Sequence, residues 1–249
     1  MNDLVLQNLP SSPPEGADRK EIEKKTKKLQ KRLFQLQNLL FAEGKYALLV
    51  VLQGMDTSGK DGTVRHVFSC MNPMGVQVKS FKAPTEEEKK HDFLWRVYPK
   101  IPAKGMIHVF NRSHYEDILV PTVHKSLDME RIDRRYQVIN DFENHLKING
   151  TTILKIFLHI SHQEQKARIE KRLNDPEKRW KYDISDTQES KKWDQYQAVY
   201  QRLFNECNQP FPWIAIPSDK KWYRNYLIAD LLVKTLESFE MKYPTGPQA

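Results

Sequence analysis

The segment Gly54-Met-Asp-Thr-Ser-Gly-Lys-Asp-Gly-Thr63 stands directly after a strand-like apolar run, Ala47 to Gln53, and directly before a helical pattern. A glycine at each end of a four-residue turn lets backbone N–H groups point inward around phosphate oxygens. The lysine adds a positive charge, and the helix N-terminus adds its partial positive charge. The Gly-x4-Gly-Lys spacing alone is common; its placement between strand and helix makes it specific. Gly54, Thr57, Ser58, Gly59, Lys60, Asp61, Gly62 and Thr63 are therefore expected to bind phosphate, and the fold must deliver a strand into this loop and a helix out of it.

The rest of the chain fits that demand. Five short runs rich in β-branched residues, Tyr46 to Gln53, Val76 to Phe81, Met106 to Phe110, Thr152 to Ile160 and Trp213 to Ile216, read as buried strands. Helical patterns fill the gaps at Lys60 to Met71, Thr85 to Tyr98, Met129 to Lys147, His162 to Leu173, Gln188 to Cys207 and Lys221 to Met241. Alternating strands and helices predict an α/β fold, a mainly parallel five-stranded sheet covered on both faces. Ahead of it, Asp18 with Glu21 resembles a capping box. Ile22, Leu29, Leu33, Leu36 and Leu40 then keep helical spacing as far as Gly44. Residues 1–17, with Pro10, Pro13, Pro14 and Gly16, read as a flexible arm, and 18–249 as one domain. The stripe Trp193, Tyr196, Tyr200, Leu203 and Cys207 reads as core packing. Residues Asn174 to Asp186 break the helical pattern with Asp-Pro and charges and read as a mobile lid, the whole lid region covering about 165–186.

Composition narrows the setting. The 249 residues are enough for one sizeable core, and the longest apolar runs fall far short of the roughly 20 residues a bilayer requires. With no membrane span and no secretion signal, a cytoplasmic protein is expected. Cys70 and Cys207 lack metal-ligand spacing and read as reduced thiols. His159 and His162 read as a packed ring and a capping-region residue. A net charge of +8 attracts polyanions of any kind, and the lysine face of the first helix (Lys24, Lys25, Lys27, Lys28, Lys31) reads as solvated. No aromatic RNA-binding motif or zinc spacing supports a nucleic-acid partner.

The loop departs from the usual pattern in two places. The position after Lys60, normally the Ser or Thr that meets Mg²⁺, is Asp61, and Asp56 places a carboxylate where it would repel phosphate unless a cation intervenes. Asp117, in Phe110-Asn-Arg-Ser-His-Tyr-Glu-Asp117, is a second carboxylate, and Asp56 with Asp117 is expected to hold Mg²⁺, or Mn²⁺ in its place. A helix N-terminal acid is the alternative for Asp117.

With these motifs in hand, the chain resembles the polyphosphate kinase 2 family of P-loop phosphotransferases. The resemblance runs from about Lys28 to Leu236. It rests on the loop, on Val109 to Asp117, on Lys155-Ile-Phe-Leu-His-Ile-Ser161, on Arg179-Trp-Lys181, and on Pro212-Trp213 with Ile216-Pro217. It implies a three-layer α/β/α P-loop kinase fold, thymidylate-kinase-like, with a mobile lid. It also implies Mg²⁺-dependent phosphoryl transfer between inorganic polyphosphate and purine nucleotides. Asn111 before Arg112, with the acid at Asp117, resembles the branch acting on both AMP and ADP. By the same resemblance Asp56, Lys60, Arg112 and Asp117 are the catalytic set, and Arg112, Arg172, Arg179 and Lys181 hold the phosphate chain. A homo-oligomer is expected, with no nucleic-acid or membrane partner. Phe81 to Thr85 is the candidate wall for the nucleotide, through Lys82 and Pro84 together with Asn111; an ordinary strand-to-helix turn is the alternative. The nearest rival is an ATP-dependent nucleoside monophosphate kinase, which a donor assay separates.

Overall fold

The computed structural model describes residues 5–175 and 188–246. All five apolar runs are strands: β1 (Ala47–Gln53), β2 (Val76–Ser80), β3 (Ile107–Asn111), β4 (Thr151–His159) and β5 (Trp213–Pro217). They form one sheet in the order β2-β3-β1-β4-β5, and every pairing is parallel. All strand C-termini therefore end along one edge. The helices are α1 (Arg19–Glu43), α2 (Lys60–Thr63, continued by a π-helical turn, Val64–Phe68), α3 (Glu116–Val123), α4 (Met129–Ile148), α5 (His162–Asn174), α6 (Trp193–Glu206) and α7 (Lys221–Glu237).

Side chains alternate across the sheet, and the two faces carry separate cores. Leu48, Val50 and Leu52 of β1 join Leu33, Leu36 and Leu40 of α1, Val67 and Phe68 after α2, and Ile228 and Leu232 of α7. Leu49 and Val51 face the other way, toward Ile118 of α3, Ile139 and Phe142 of α4, and Leu203 of α6. Strand β1 is buried along its whole length. That is why its sequence is continuously apolar rather than alternating, and each of its leucines and valines contributes about 1.5–3 kcal/mol. The second core also encloses a polar knot. Lys155 Nζ donates to Glu143 Oε2 at 2.6 Å, to the Cys207 carbonyl at 2.8 Å and to Tyr115 Oη at 3.2 Å. Tyr115 Oη in turn donates to Glu143 Oε1 at 2.7 Å.

Helix α1 begins where expected: the Asp18 carboxylate accepts from the Lys20 and Glu21 amides, and Gly44, at φ 65°, ends it. Four features differ from the sequence reading. Residues 5–17 are not a loose arm. Leu6 is 1% exposed in the core, its amide donates to the Gln201 side chain, and Ser11 and Ser12 both donate to Asp219. The buried leucine and these three hydrogen bonds hold the segment, and its prolines, which fix φ, lower the entropy lost on ordering. Thr85 to Tyr98 is not a helix but a chain of turns with short 3₁₀ pieces at Glu88–Lys90 and Tyr98–Lys100. Its Thr85–Glu88 pair closes a local cap that a short 3₁₀ turn follows in place of an α-helix. The helix expected over Lys60 to Met71 gives way to the π-helical turn after Thr63. Finally, α3, with Pro121 inside it, follows β3 outside the six helical patterns read from the sequence, and it puts Asp117 in its first turn, the alternative reading for that residue.

Candidate active site

The phosphate loop lies at the C-terminal edge of β1. A Cβ on Gly54 would lie 2.7 Å from the Leu158 carbonyl, and Gly59 stands at φ 105°, where a side chain is strained, so both positions favour glycine. The Gly54 amide donates to Tyr200 Oη at 3.2 Å, which ties the loop to α6. The side-chain hydroxyls of Thr57, Ser58 and Thr63 are buried and have no hydrogen-bond partner among the described residues. Of the expected phosphate-binding residues of the loop, Thr57, Gly59, Lys60, Asp61 and Gly62 line the cleft, whereas Gly54, Ser58 and Thr63 do not, the last two being fully buried. Lys60 Nζ turns back onto the carbonyls of Gly54 at 2.7 Å and Met55 at 3.2 Å. Burial pushes its ammonium down to about 8, Arg112 adds to the effect, and Asp56 opposes it.

Strand β3 ends at Asn111, and the chain turns through Arg112 at φ 63°, a left-handed conformation uncommon for a non-glycine residue. The Arg112 amide donates to the Leu52 carbonyl at 3.1 Å, anchoring the turn to β1. Its guanidinium spans two carboxylates, Asp56 at 2.6 Å and Glu116 at 3.4 Å. Glu116 chiefly, with Asp56, holds the guanidinium charged against burial. Burial raises the Glu116 carboxyl even though Arg112 and Lys60 pull the other way. The unusual Asp61 also finds its partner here, accepting from Asn111 Nδ2 at 2.7 Å.

Asp117 does not join Asp56. Its carboxylate accepts from Arg96 Nη2 at 2.8 Å, its side chain is 10% exposed, and it does not line the cleft that Asp56 lines. In a helical first turn adjacent residues point about 100° apart. Glu116 thus faces the loop while Asp117 faces Arg96, and the second carboxylate beside Asp56 is Glu116.

The loop opens into a cleft of about 880 Å³. One wall is cationic: Arg168, Lys171 and Arg172 from α5, and Lys221 and Arg224 from α7. Arg168 is braced by four carbonyls, those of Thr57, Ser58, Ser218 and Asp219, at 2.7–3.2 Å, and its Nε pairs with Glu164 at 2.8 Å. Arg224, 1% exposed, is pushed down to about 10 by burial and by Arg168 beside it. Burial, Arg168 and Arg224 lower Lys221 in the same way. Cations that repel one another in a desolvated wall are relieved by a bound polyanion. The opposite wall holds Ser80, Phe81, Lys82, Ala83 and Asn111. Of the expected nucleotide residues, Lys82 and Asn111 line the cleft and Pro84 does not, while Phe81 is 3% exposed with its ring against Phe110.

Of the expected lid cations, Arg172 lines the cleft, and Arg179 and Lys181 lie outside the described residues. Residues 165–174 of that lid belong to α5, and Gln165 and Arg168 fasten them to the phosphate loop. Sequence reasoning missed Arg168, Lys221, Arg224 and Glu116. The available signal was spacing: Arg168 and Arg172 stand four apart on α5, and Lys221 and Arg224 three apart on α7.

A parallel sheet with a glycine-lysine phosphate loop at its C-terminal edge, faced by cations, defines a P-loop phosphotransferase. The family model described as Polyphosphate kinase 2 matches residues 16–244, and the chain belongs to that family. It is therefore an enzyme, a kinase that works with polyphosphate. The chain is 50% identical over 217 residues to an AMP/ADP-polyphosphate phosphotransferase of Meiothermus ruber, covering 87% of this chain and 81% of the relative. It is 42% identical over 226 residues to an ADP-polyphosphate phosphotransferase of Rhodopseudomonas palustris, covering 86% and 78%. The crystal structure of Polyphosphate Kinase 2 from Arthrobacter aurescens TC1 superposes with a TM-score of 0.95 at 41% identity, over 100% of this chain and 90% of that one. Among the described residues no helix is long and apolar enough to cross a membrane.

Proposed function

We propose that this chain moves a phosphoryl group between inorganic polyphosphate and adenine nucleotides, accepting both AMP and ADP, with Asp56, Lys60 and Arg112 at the point of transfer. The observation that carries this reading is the surplus of cation around the loop. Lys60 and Arg224 donate to loop carbonyls, Arg168 to four carbonyls and to Glu164, and Arg168, Lys221 and Arg224 repel one another, a wall suited to a run of phosphates. The Meiothermus relative, whose name includes both acceptors, supports the dual choice.

In this reading the donor chain lies along α5 and α7, and its terminal phosphate enters the loop. There the Thr57 hydroxyl, on the cleft, gains a partner. Lys60 leaves its two carbonyls for phosphate oxygens, and Arg112 shifts from Asp56 and Glu116 toward the transferring group. Phosphoryl transfer needs alignment and charge neutralisation more than covalent chemistry, and these residues supply both. Asp56 aims the attacking phosphate oxygen, which is already ionised near neutral pH. Among the described residues no three His, Cys, Asp or Glu side chains cluster as a metal cage. Mg²⁺ needs no such cage, since it keeps its waters and binds through one or two carboxylates plus substrate phosphates. Asp56 and Asp61, both on the cleft, fit that role, and Mg²⁺, or Mn²⁺, would neutralise charge between the phosphates. We also place the enzyme in the cytoplasm as a homo-oligomer; light scattering that returned a monomer would remove the second statement.

The test supplies purified enzyme with Mg²⁺, long-chain polyphosphate and either AMP or ADP, and follows ATP. ATP from both acceptors is the expected result. ATP from ADP alone would remove the dual acceptor. Product only when ATP replaces polyphosphate as donor would overturn the reading in favour of a nucleoside monophosphate kinase.

A further inference from the structure

Arg96 lies outside every motif named so far, yet it is one of the most buried charges in the molecule. Its side chain is 6% exposed. It donates to Asp117 Oδ2 at 2.8 Å and to the Lys82 carbonyl at 2.9 Å, Glu88 lies 3.6 Å away, and its guanidinium sits 5.6 Å from the centre of the Phe81 ring. Phe81, in turn, packs edge-on against Phe110 of β3. Arg96 therefore ties three separate pieces together: the turn after β2, the first turn of α3, and the irregular segment 85–98. The piece it holds most directly, Phe81 to Ala83, is the wall of the cleft that faces away from the cations.

The two walls differ in chemistry. The α5–α7 wall offers charge and nothing apolar. The wall at 80–83 offers a hydroxyl, a methyl group, backbone and one lysine, the mixture that a base and ribose need and a bare phosphate chain does not. Neither Arg96 nor Asp117 reaches the cleft itself. We infer that the Asp117–Arg96 pair is a positioning device for the nucleotide, setting the Phe81 to Ala83 wall from behind, and that Asp117 serves acceptor binding rather than metal binding. Three features account for the pair. A planar guanidinium can satisfy a carboxylate and a carbonyl at once, as a lysine cannot. The buried carboxylate keeps the arginine in one rotamer, and the aromatic ring beneath confines its plane. The inference rests on the polyphosphate-to-nucleotide reading, and it is tested by effects that differ between the two substrates.

The experiment compares wild type with Arg96→Lys, Asp117→Asn and the double variant, measuring KM for the nucleotide, KM for polyphosphate and the Mg²⁺ concentration giving half-maximal rate. The expected result is a KM for AMP or ADP raised ~10-fold or more in each single variant, the size of a lost charge-assisted hydrogen bond. Polyphosphate KM and the Mg²⁺ requirement should stay within about 2-fold. The double variant should be little worse than either single one, because both remove the same support. Asp117→Asn shifting the Mg²⁺ requirement would overturn the inference and return Asp117 to the metal. Equal rises in both KM values would overturn it as a general loosening of the cleft. Should Arg96→Lys fail to fold, Asp117→Asn with hydrogen exchange at the amides of 82–85 decides the matter: faster exchange there is expected, and unchanged protection overturns the inference. Wild-type enzyme inactive with polyphosphate would instead remove the underlying reading.

Discussion

Among the described residues two lysines are buried, Lys60 at the sheet's C-terminal edge and Lys155 in the middle of β4, and their surroundings are opposite. Lys155 is fully enclosed with Glu143 at 2.6 Å, and its ammonium donates to three acceptors, Glu143, the Cys207 carbonyl and Tyr115 Oη. Burial alone would raise the Glu143 carboxyl, but Lys155 and His114 beside it hold it below its ordinary value. Among the described residues Lys60 donates to two carbonyls and to no carboxylate, and burial brings its ammonium down to about 8 although Asp56, Glu116 and Asp61 favour the charged form. One lysine is finished by the protein. The other lacks a counter-charge that the substrate brings, and the fold carries its desolvation until then.

Four experiments break or sharpen that contrast. The largest effect is expected from Lys155→Met. Stranding Glu143 should cost about 3–5 kcal/mol in urea unfolding, most of it recovered by adding Glu143→Leu. A loss under 1 kcal/mol would mean the pair is not the keystone described here. Lys60→Met should do the reverse, raising Tm of the unliganded protein at pH 7 while lowering kcat/KM by roughly 10²–10³-fold. A fall in Tm would show that Lys60 is already well paired. Asp56→Asn should lower kcat at least ~100-fold. Because Asp56 favours the charged lysine, the alkaline limb of kcat/KM should also move to lower pH, and a limb that stays put would separate the two residues.

The smallest effect is on pH dependence. In the free enzyme Lys60 loses its proton through about pH 8, so kcat/KM for polyphosphate should fall toward tenfold per unit above that pH. The limb in kcat should lie higher, since bound phosphate favours the ammonium. Stability runs the other way. The folded value lies below the unfolded one, so the penalty is present in full below about pH 8 and fades as pH rises toward 10.5. Coincident limbs in kcat and kcat/KM would contradict the missing counter-charge.

The strands and the loop were legible because their signals are local. A seven-residue apolar run has few alternatives to a buried strand, and Gly54 and Gly59 hold backbone conformations that favour glycine. What escaped the sequence depends on contacts between distant segments. Arg168 and Arg224 look like ordinary helix-surface cations until the fold brings both to the Ser58 carbonyl. Glu116 and Asp117 are neighbours in sequence, and only the start of α3 decides which faces the loop. Leu6 was hidden among prolines because one buried side chain has no periodicity.

The strand order has a consequence for the birth of the protein on the ribosome. β1 is central, and its neighbours are β3, beginning at Ile107, and β4, beginning at Thr151. No hairpin can pair it earlier, since parallel neighbours require a crossover. At ~5–20 residues per second, the stretch Ala-Leu-Leu-Val-Val-Leu-Gln waits several seconds for its first partner, and longer for its second. During that interval it is a bare β-prone segment without a charge. Nascent chains stalled before residue 107 should therefore depend on chaperones far more than chains stalled after 160, a burden set by topology and independent of the finished enzyme's stability.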